Sequence, residues 1–110
     1  MDKRTQLSLL FDCYGPLLTH RQRSMLEQHL GEDCSLGEIA EREGISRQAV
    51  RDALMRGEEQ LLLYEEKLGL LKRDMELITA LRELIDRAET ENIRGGLLSL
   101  VERIEGNDGV

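Results

Sequence analysis

The chain has 110 residues and a formal net charge of −7, with 15 Lys and Arg against 22 Asp and Glu. That length suits one domain, or one domain with a helical appendage, and no apolar run reaches the roughly 18 residues that a membrane span needs. Phosphate contacts call for Lys and Arg, yet residues 1–64 carry net −3 and residues 65–110 net −4, so any basic surface must be local.

A single proline, abundant Leu, Glu, Arg and Ala, and the absence of period-two alternation predict an all-α fold. The first helix spans about Lys3 to Tyr14, with Leu7, Leu10, Phe11 and Tyr14 forming one apolar stripe. Gly15 followed by Pro16 reads as a stop, with Gly15 in a left-handed cap. The second helix starts at Thr19, where Gln22 completes a capping box; it buries Met25, Leu26 and Leu30 and ends at Gly31. The third, about Leu36 to Glu43, has its own capping box in Ser35 and Glu38, flanked by Cys34 and Ile39 as a hydrophobic staple. The fourth is capped by Ser46, stapled by Ile45 and Val50, and runs to about Leu68, where Gly69 offers a stop. Gly57 lies inside it at a cost of about 1 kcal/mol relative to Ala, which a close helix crossing would explain.

The fifth helix is expected over about Lys72 to Ala88, with Met75, Ile78, Leu81, Leu84, Ile85 and Ala88 as its apolar stripe. A weaker sixth segment carries Leu97, Leu98, Val101 and Ile104 and is expected to break from the fifth near Gly95 and Gly96. The division that follows is a helix-turn-helix domain over 1–69, a C-terminal helical extension over 70–105 and a disordered tail over 106–110. Leu61, Leu62, Leu63, Leu68, Leu70 and Leu71 are too crowded for one helix face. Either the last helices fold back over them or a second chain does, and a twofold dimer would let the two coexist.

The most informative stretch is Ser35 to Leu54. Two helices crossing steeply over a short turn need a small residue under the contact, here Ala40, and a residue tolerant of positive φ at the corner, here Gly44. Ile39, Ile45, Val50 and Leu54 fill the wedge between them. An ordinary helical hairpin is the competing arrangement. The position before the corner departs from the usual pattern: an apolar residue normally packs inward there, and here it is Glu43. The outward face of the fourth helix reads Arg47, Gln48, Arg51, Asp52 and Met55, with Arg56 beside it. In such a unit the start of the second helix meets base edges in the major groove. Arg grips guanine, Gln grips adenine, and Ser46 with the helix N-terminus suits a phosphate. Arg21, Arg23 and His20 add a little positive charge. Three or four phosphate contacts would give weak, salt-sensitive binding.

Other chemistry is not signalled. Cys13 and Cys34, with no metal-ligand spacing around them, read as reduced, partly buried thiols. His20 and His29 face opposite sides of a helix at about 100° per residue, so they share no ligand. No paired-carboxylate cleft, nucleophile–base pair or phosphate-cradling glycine loop marks an enzyme, and no cofactor or metal is expected. The N-terminus lacks the pattern of a signal peptide, so the expected compartment is the cytoplasm.

Ser35 to Ala40 with Ser46 to Val50 resembles the fourth region of RNA polymerase sigma factors, a promoter-reading helix-turn-helix. The wider set is Leu7, Leu10, Phe11, Asp12, Tyr14 to Thr19, Gln22, Arg23, Ser46 to Val50 and Tyr64 to Leu70. Over about residues 5–90 it resembles the YlxM family of bacterial helix-turn-helix proteins. The resemblance implies an all-helical fold and a regulatory role beside the signal recognition particle pathway, whose GTPase genes such genes typically neighbour. It carries Ser46, Arg47 and Gln48 over as the start of the recognition helix, and Arg51 stands where the family is often aromatic. Two functions follow: a DNA-binding regulator, or an accessory that docks on the signal recognition particle protein or RNA. The acidic charge suits the second through a basic partner.

Overall fold

The computed structural model describes residues 1–88 and 91–106. Among them the chain forms six α-helices: α1 Lys3–Tyr14, α2 His20–Leu26, α3 Leu36–Glu43, α4 Arg47–Leu68, α5 Leu70–Arg87 and α6 Glu91–Gly106. The molecule is elongated, 58 × 26 × 22 Å.

Short side chains at the helix starts set most of these boundaries. Asp2 caps α1 by accepting from the Thr5 N–H at 2.8 Å. Both expected capping boxes form: Thr19 with Gln22 on α2, and Ser35 with Glu38 on α3. The bonds that the Ser35 backbone and hydroxyl make to Glu38 hold its carboxyl below the ordinary value. Gly44 and Gly69 take the left-handed conformation at the ends of α3 and α4. Gly15 does not. It is right-handed, at φ −47°, and opens a 3-10 turn, Gly15–Leu17, with Pro16 at its start. Proline's fixed φ suits that turn, and a Cβ on Gly15 would stand 3.3 Å from the Phe11 ring, a tight contact.

α2 runs on into a π-turn, Glu27–Gly31, which swings the chain into α3 through Asp33 at φ 58°. Buried Gln28 sits in that turn. Its amide nitrogen donates to Glu43 at 2.9 Å, and its oxygen accepts from Arg42 at 3.3 Å. Glu43 is therefore exposed at the rim, serving a polar seam where the pattern calls for an apolar residue.

The main core joins Leu7, Leu10 and Tyr14 of α1 and Met25 and Leu26 of α2 with Ile39 and Ala40 of α3, and it centres on Val50, Leu54 and Leu61 of α4. α2 packs against α4 at Gly57. A Cβ on Gly57 would lie 2.7 Å from Leu26 Cδ1, so the missing side chain leaves room for Leu26 against α4.

A second long-range contact fixes the joint between α4 and α5. Tyr14 is fully buried and donates its hydroxyl to Glu65 at 2.6 Å, while its oxygen accepts from the Leu70 N–H at 3.0 Å. The Glu65 carboxylate accepts from the Leu71 and Lys72 N–H groups at 3.1 and 3.0 Å. Together they satisfy the open backbone donors of α5, whose N-terminus favours negative charge. α5 thus begins two residues before the expected Lys72 and ties its first turn to the main core through Leu70, Leu71 and Met75.

Further along, α5 meets α6 in a smaller cluster of Ile78, Ile85 and Val101, with an Arg82–Glu105 ion pair at 2.9 Å. Gly95 and Gly96 do not break the chain. They lie inside α6, and the chain turns extended at Ala88 instead. Two interior glycines cost about 2 kcal/mol of helix propensity, and packing of Leu97, Val101 and Ile104 against α5 offsets it. The expected tail falls on Gly106, which ends α6, and on residues 107–110, which lie outside the described residues.

Two stability predictions follow. Gly57→Ala should destabilise by about 1–2 kcal/mol in denaturant titration, because overpacking a closed core costs more than the propensity gained. Adding Leu26→Val should recover part of the loss. The second concerns Tyr14, whose phenol is pushed from 10.0 up to about 12, first by burial and then by the bond to Glu65. Above pH 10 the unfolded chain sheds a proton that the fold retains, so stability should fall from about pH 10 to 12. In Tyr14→Phe that share of the alkaline loss should vanish, and the neutral-pH stability should drop by about 1 kcal/mol.

Candidate nucleic-acid interface

The corner between α3 and α4 is closed by backbone bonds. The Gly44 and Ile45 N–H groups both reach the Ala40 carbonyl, the latter at 3.1 Å, and Gly44 turns at φ 69°. Ser46 then caps α4, accepting from the Ala49 N–H at 3.0 Å, which leaves its hydroxyl proton for an outside acceptor. Ile39 and Val50 are fully buried in the wedge and Ile45 is half-buried. Arg47 and Gln48 face outward, and α3 and α4 are separate helices, so the arrangement is a helix-turn-helix rather than a continuous rod.

Arg47, Gln48, Arg51 and Arg56 are all exposed. At about 100° per residue, Arg47 and Arg51 share the flank of α4 toward α3, and Arg56 lies on the flank toward α2. The Arg47 guanidinium rests over the first turn of α3, where a Cβ on Gly37 would stand 3.1 Å from Nη2. On the other flank, Arg56 and Arg21 line one cleft of about 420 Å³ with Thr19, Gln22, Ala49, Asp52 and Ala53. The fold thus joins Arg21 to the start of α4. Arg23 is exposed on α2 but does not line this cleft.

Among the described residues, ion pairs engage Arg4, Arg42 and Arg82. None forms at Arg21, Arg23, Arg47, Arg51 or Arg56, whose guanidinium groups keep their charge for a ligand. Beyond Arg56, α4 turns acidic at Glu58, Glu59, Glu65 and Glu66. These arginines therefore sit on an acidic molecule, with Asp52 among them. Sequence reasoning missed the use of Asp52: it accepts from the Gln48 amide nitrogen at 3.0 Å. The available signal was the i, i+4 spacing of Gln and Asp on one helix. It also missed Gly37, which nothing in the periodicity marks.

No helix of the described residues is long and apolar enough to cross a membrane, and no group of three His, Cys, Asp or Glu side chains among them could hold a metal ion. Cys34 is buried, and loss of solvent pushes its thiol up from the ordinary value.

Residues 1–98 match the family UPF0122, described as a helix-turn-helix protein, YlxM / p13 like. A UPF0122 protein of Symbiobacterium thermophilum is 43% identical over 98 residues, spanning 86% of this chain and 92% of its own length. One from Desulforamulus reducens is 49% identical over 81 residues, covering 74% of this chain and 69% of itself. One from Bacillus cereus is 43% identical over 111 aligned positions, covering 98% and 99%.

Proposed function

From the premise that the chain belongs to the UPF0122 family of YlxM/p13-like helix-turn-helix proteins, we propose that it is a DNA-binding regulatory protein that reads duplex DNA with the first turns of α4. The observation that carries this reading is the set of unpaired arginines around a capped helix N-terminus: Arg47 and Arg51 on one flank, Arg56 and Arg21 on the other. Spaced to both sides of an inserted helix, such cations meet the two phosphate backbones that border a major groove. Ser46 supplies a further phosphate donor, and Arg23 adds charge without a place in the cleft. Residues 1–69 serve as the reading unit.

The charge of −7 supports a second reading, in which the same unit docks on a basic protein or on a ribonucleoprotein of the signal recognition particle pathway. The pathway itself rests on family resemblance alone.

Residues 70–105 supply a self-association arm in this proposal. Leu77 and Leu84 of α5 and Ile93, Leu98 and Leu100 of α6 are each between 39% and 55% exposed. Leu62, Leu63 and Leu68 of α4 also remain open, although the end of α4 is tied to α5. A twofold pair covers these faces and doubles the phosphate contacts, which compensates for the few cations on each copy.

Binding to a nonspecific duplex should weaken between 50 and 200 mM salt by about a hundredfold for one copy with about four phosphate contacts, and by about ten-thousandfold for the pair. Arg47→Ala with Arg51→Ala should cut the salt slope by about 2 per copy with the thermal midpoint unchanged. Retention of no duplex at low salt would exclude DNA and leave the docking reading. Sedimentation should show a concentration-dependent dimer that Leu77→Glu with Leu84→Glu converts to a helical monomer; a wild-type monomer at all concentrations would refute the arm.

A further inference from the structure

The centre of the outward face of α4 is not cationic. At about 100° per residue, Gln48, Asp52, Met55 and Glu59 fall within roughly 60° of one another, between the two arginine flanks. Gln48 and Asp52 are both exposed, and the Gln48 Nε2 donates to Asp52 Oδ1 at 3.0 Å. Asp52 has other options. Arg56 follows it by four residues, and Arg21 lines the same cleft, yet Asp52 forms no ion pair among the described residues. Its hydrogen-bonding partner is the amide.

The chemistry of that bond fixes the direction of the amide. An ionised carboxylate only accepts, so the nitrogen of Gln48 must face Asp52 and the oxygen must face away from it. One N–H is then used, and the group offers outward one carbonyl acceptor and one remaining N–H donor in a set orientation. The major-groove edge of adenine presents the complement, an N6 amino donor beside an N7 acceptor. Guanine presents two acceptors there, O6 and N7, which suit Arg or Lys. Opposite this pair, guanine would leave the Gln48 oxygen facing O6, acceptor against acceptor. A free glutamine can turn both N–H groups toward the two acceptors of guanine; here Asp52 already takes one of them.

We infer that Asp52 is a specificity-determining positioning residue: it locks the Gln48 amide so that α4 accepts adenine and rejects guanine at one base pair, while the flanking arginines bind the backbone. The inference rests on the proposed reading of DNA by α4 and deepens it. In that reading the acid at the centre of a DNA-facing helix lowers affinity for every sequence and is retained for discrimination.

The test separates the two. A pool of randomised duplex DNA is offered to the full-length protein at low salt, and the bound and unbound fractions are sequenced. The wild type should enrich adenine over guanine about tenfold at one position. Gln48→Ala should abolish that preference. Asp52→Asn, whose amide both donates and accepts, should relax it to within about twofold while raising overall retention, since one negative charge near the phosphates is gone. Arg47→Ala with Arg51→Ala should lower retention of the whole pool and keep the adenine at that position. Both Gln48 and Asp52 are exposed, so unchanged circular dichroism melts should accompany all of these effects. An Asp52→Asn protein that enriches adenine as strongly as the wild type would overturn the inference while leaving DNA binding intact. Retention of no duplex by the wild type would overturn the reading of α4 and this inference with it.

Discussion

The missing side chain at Gly57 is the constraint on which the rest of the molecule depends. With a Cβ there, Leu26 Cδ1 would lie 2.7 Å from it, and Leu26 would have to shift within a closed core. Because it is absent, Leu26 is fully buried and the two helices close tightly. That contact lies beside the cleft that Arg21 of α2 and Arg56 of α4 line together. A surface cleft thus adjoins an interior contact, and a packed core has little room to adjust.

α4 serves two masters along its 22 residues. Its first turns carry the unpaired arginines and the Gln48–Asp52 pair. Its last turns carry Glu65, whose carboxylate, with the Tyr14 hydroxyl, satisfies the opening N–H groups of α5. Arg47, Arg51 and Arg56 stay unpaired at one end of the helix, and at the other the half-buried Glu65 carboxylate is received by backbone donors and a phenol. An acidic protein can in this way keep unpaired arginines without a high positive charge overall.

α5 bridges two regions of unequal packing. Its first turn belongs to the main core, while Ile78 and Ile85 belong to the small cluster with Val101. The leucines left open on α5 and α6 mark a pair of helices whose apolar arcs are wider than one contact covers.

The sequence by itself determined the features settled by bonds between near neighbours. The capping boxes of Thr19 with Gln22 and Ser35 with Glu38, the Ser46 cap, the left-handed Gly44 and the limits of α1, α3 and α4 are all decided within one or two turns of chain, so side-chain type and spacing reveal them. Where distant segments compete with local preference, only the tertiary structure decided. Gly15 stays right-handed because Pro16 and the Phe11 ring leave no reason to invert it, and Gly95 and Gly96 remain helical because α6 packs on α5. Glu43 is polar because buried Gln28, fifteen residues away, needs an acceptor. The split of the arginines follows the same rule: that Arg47, Gln48 and Arg51 face outward was legible from the periodicity of one helix. That Arg21 joins Arg56 while Arg23 does not depends on the angle and distance between two helices. Those come from packing, which no local spacing encodes.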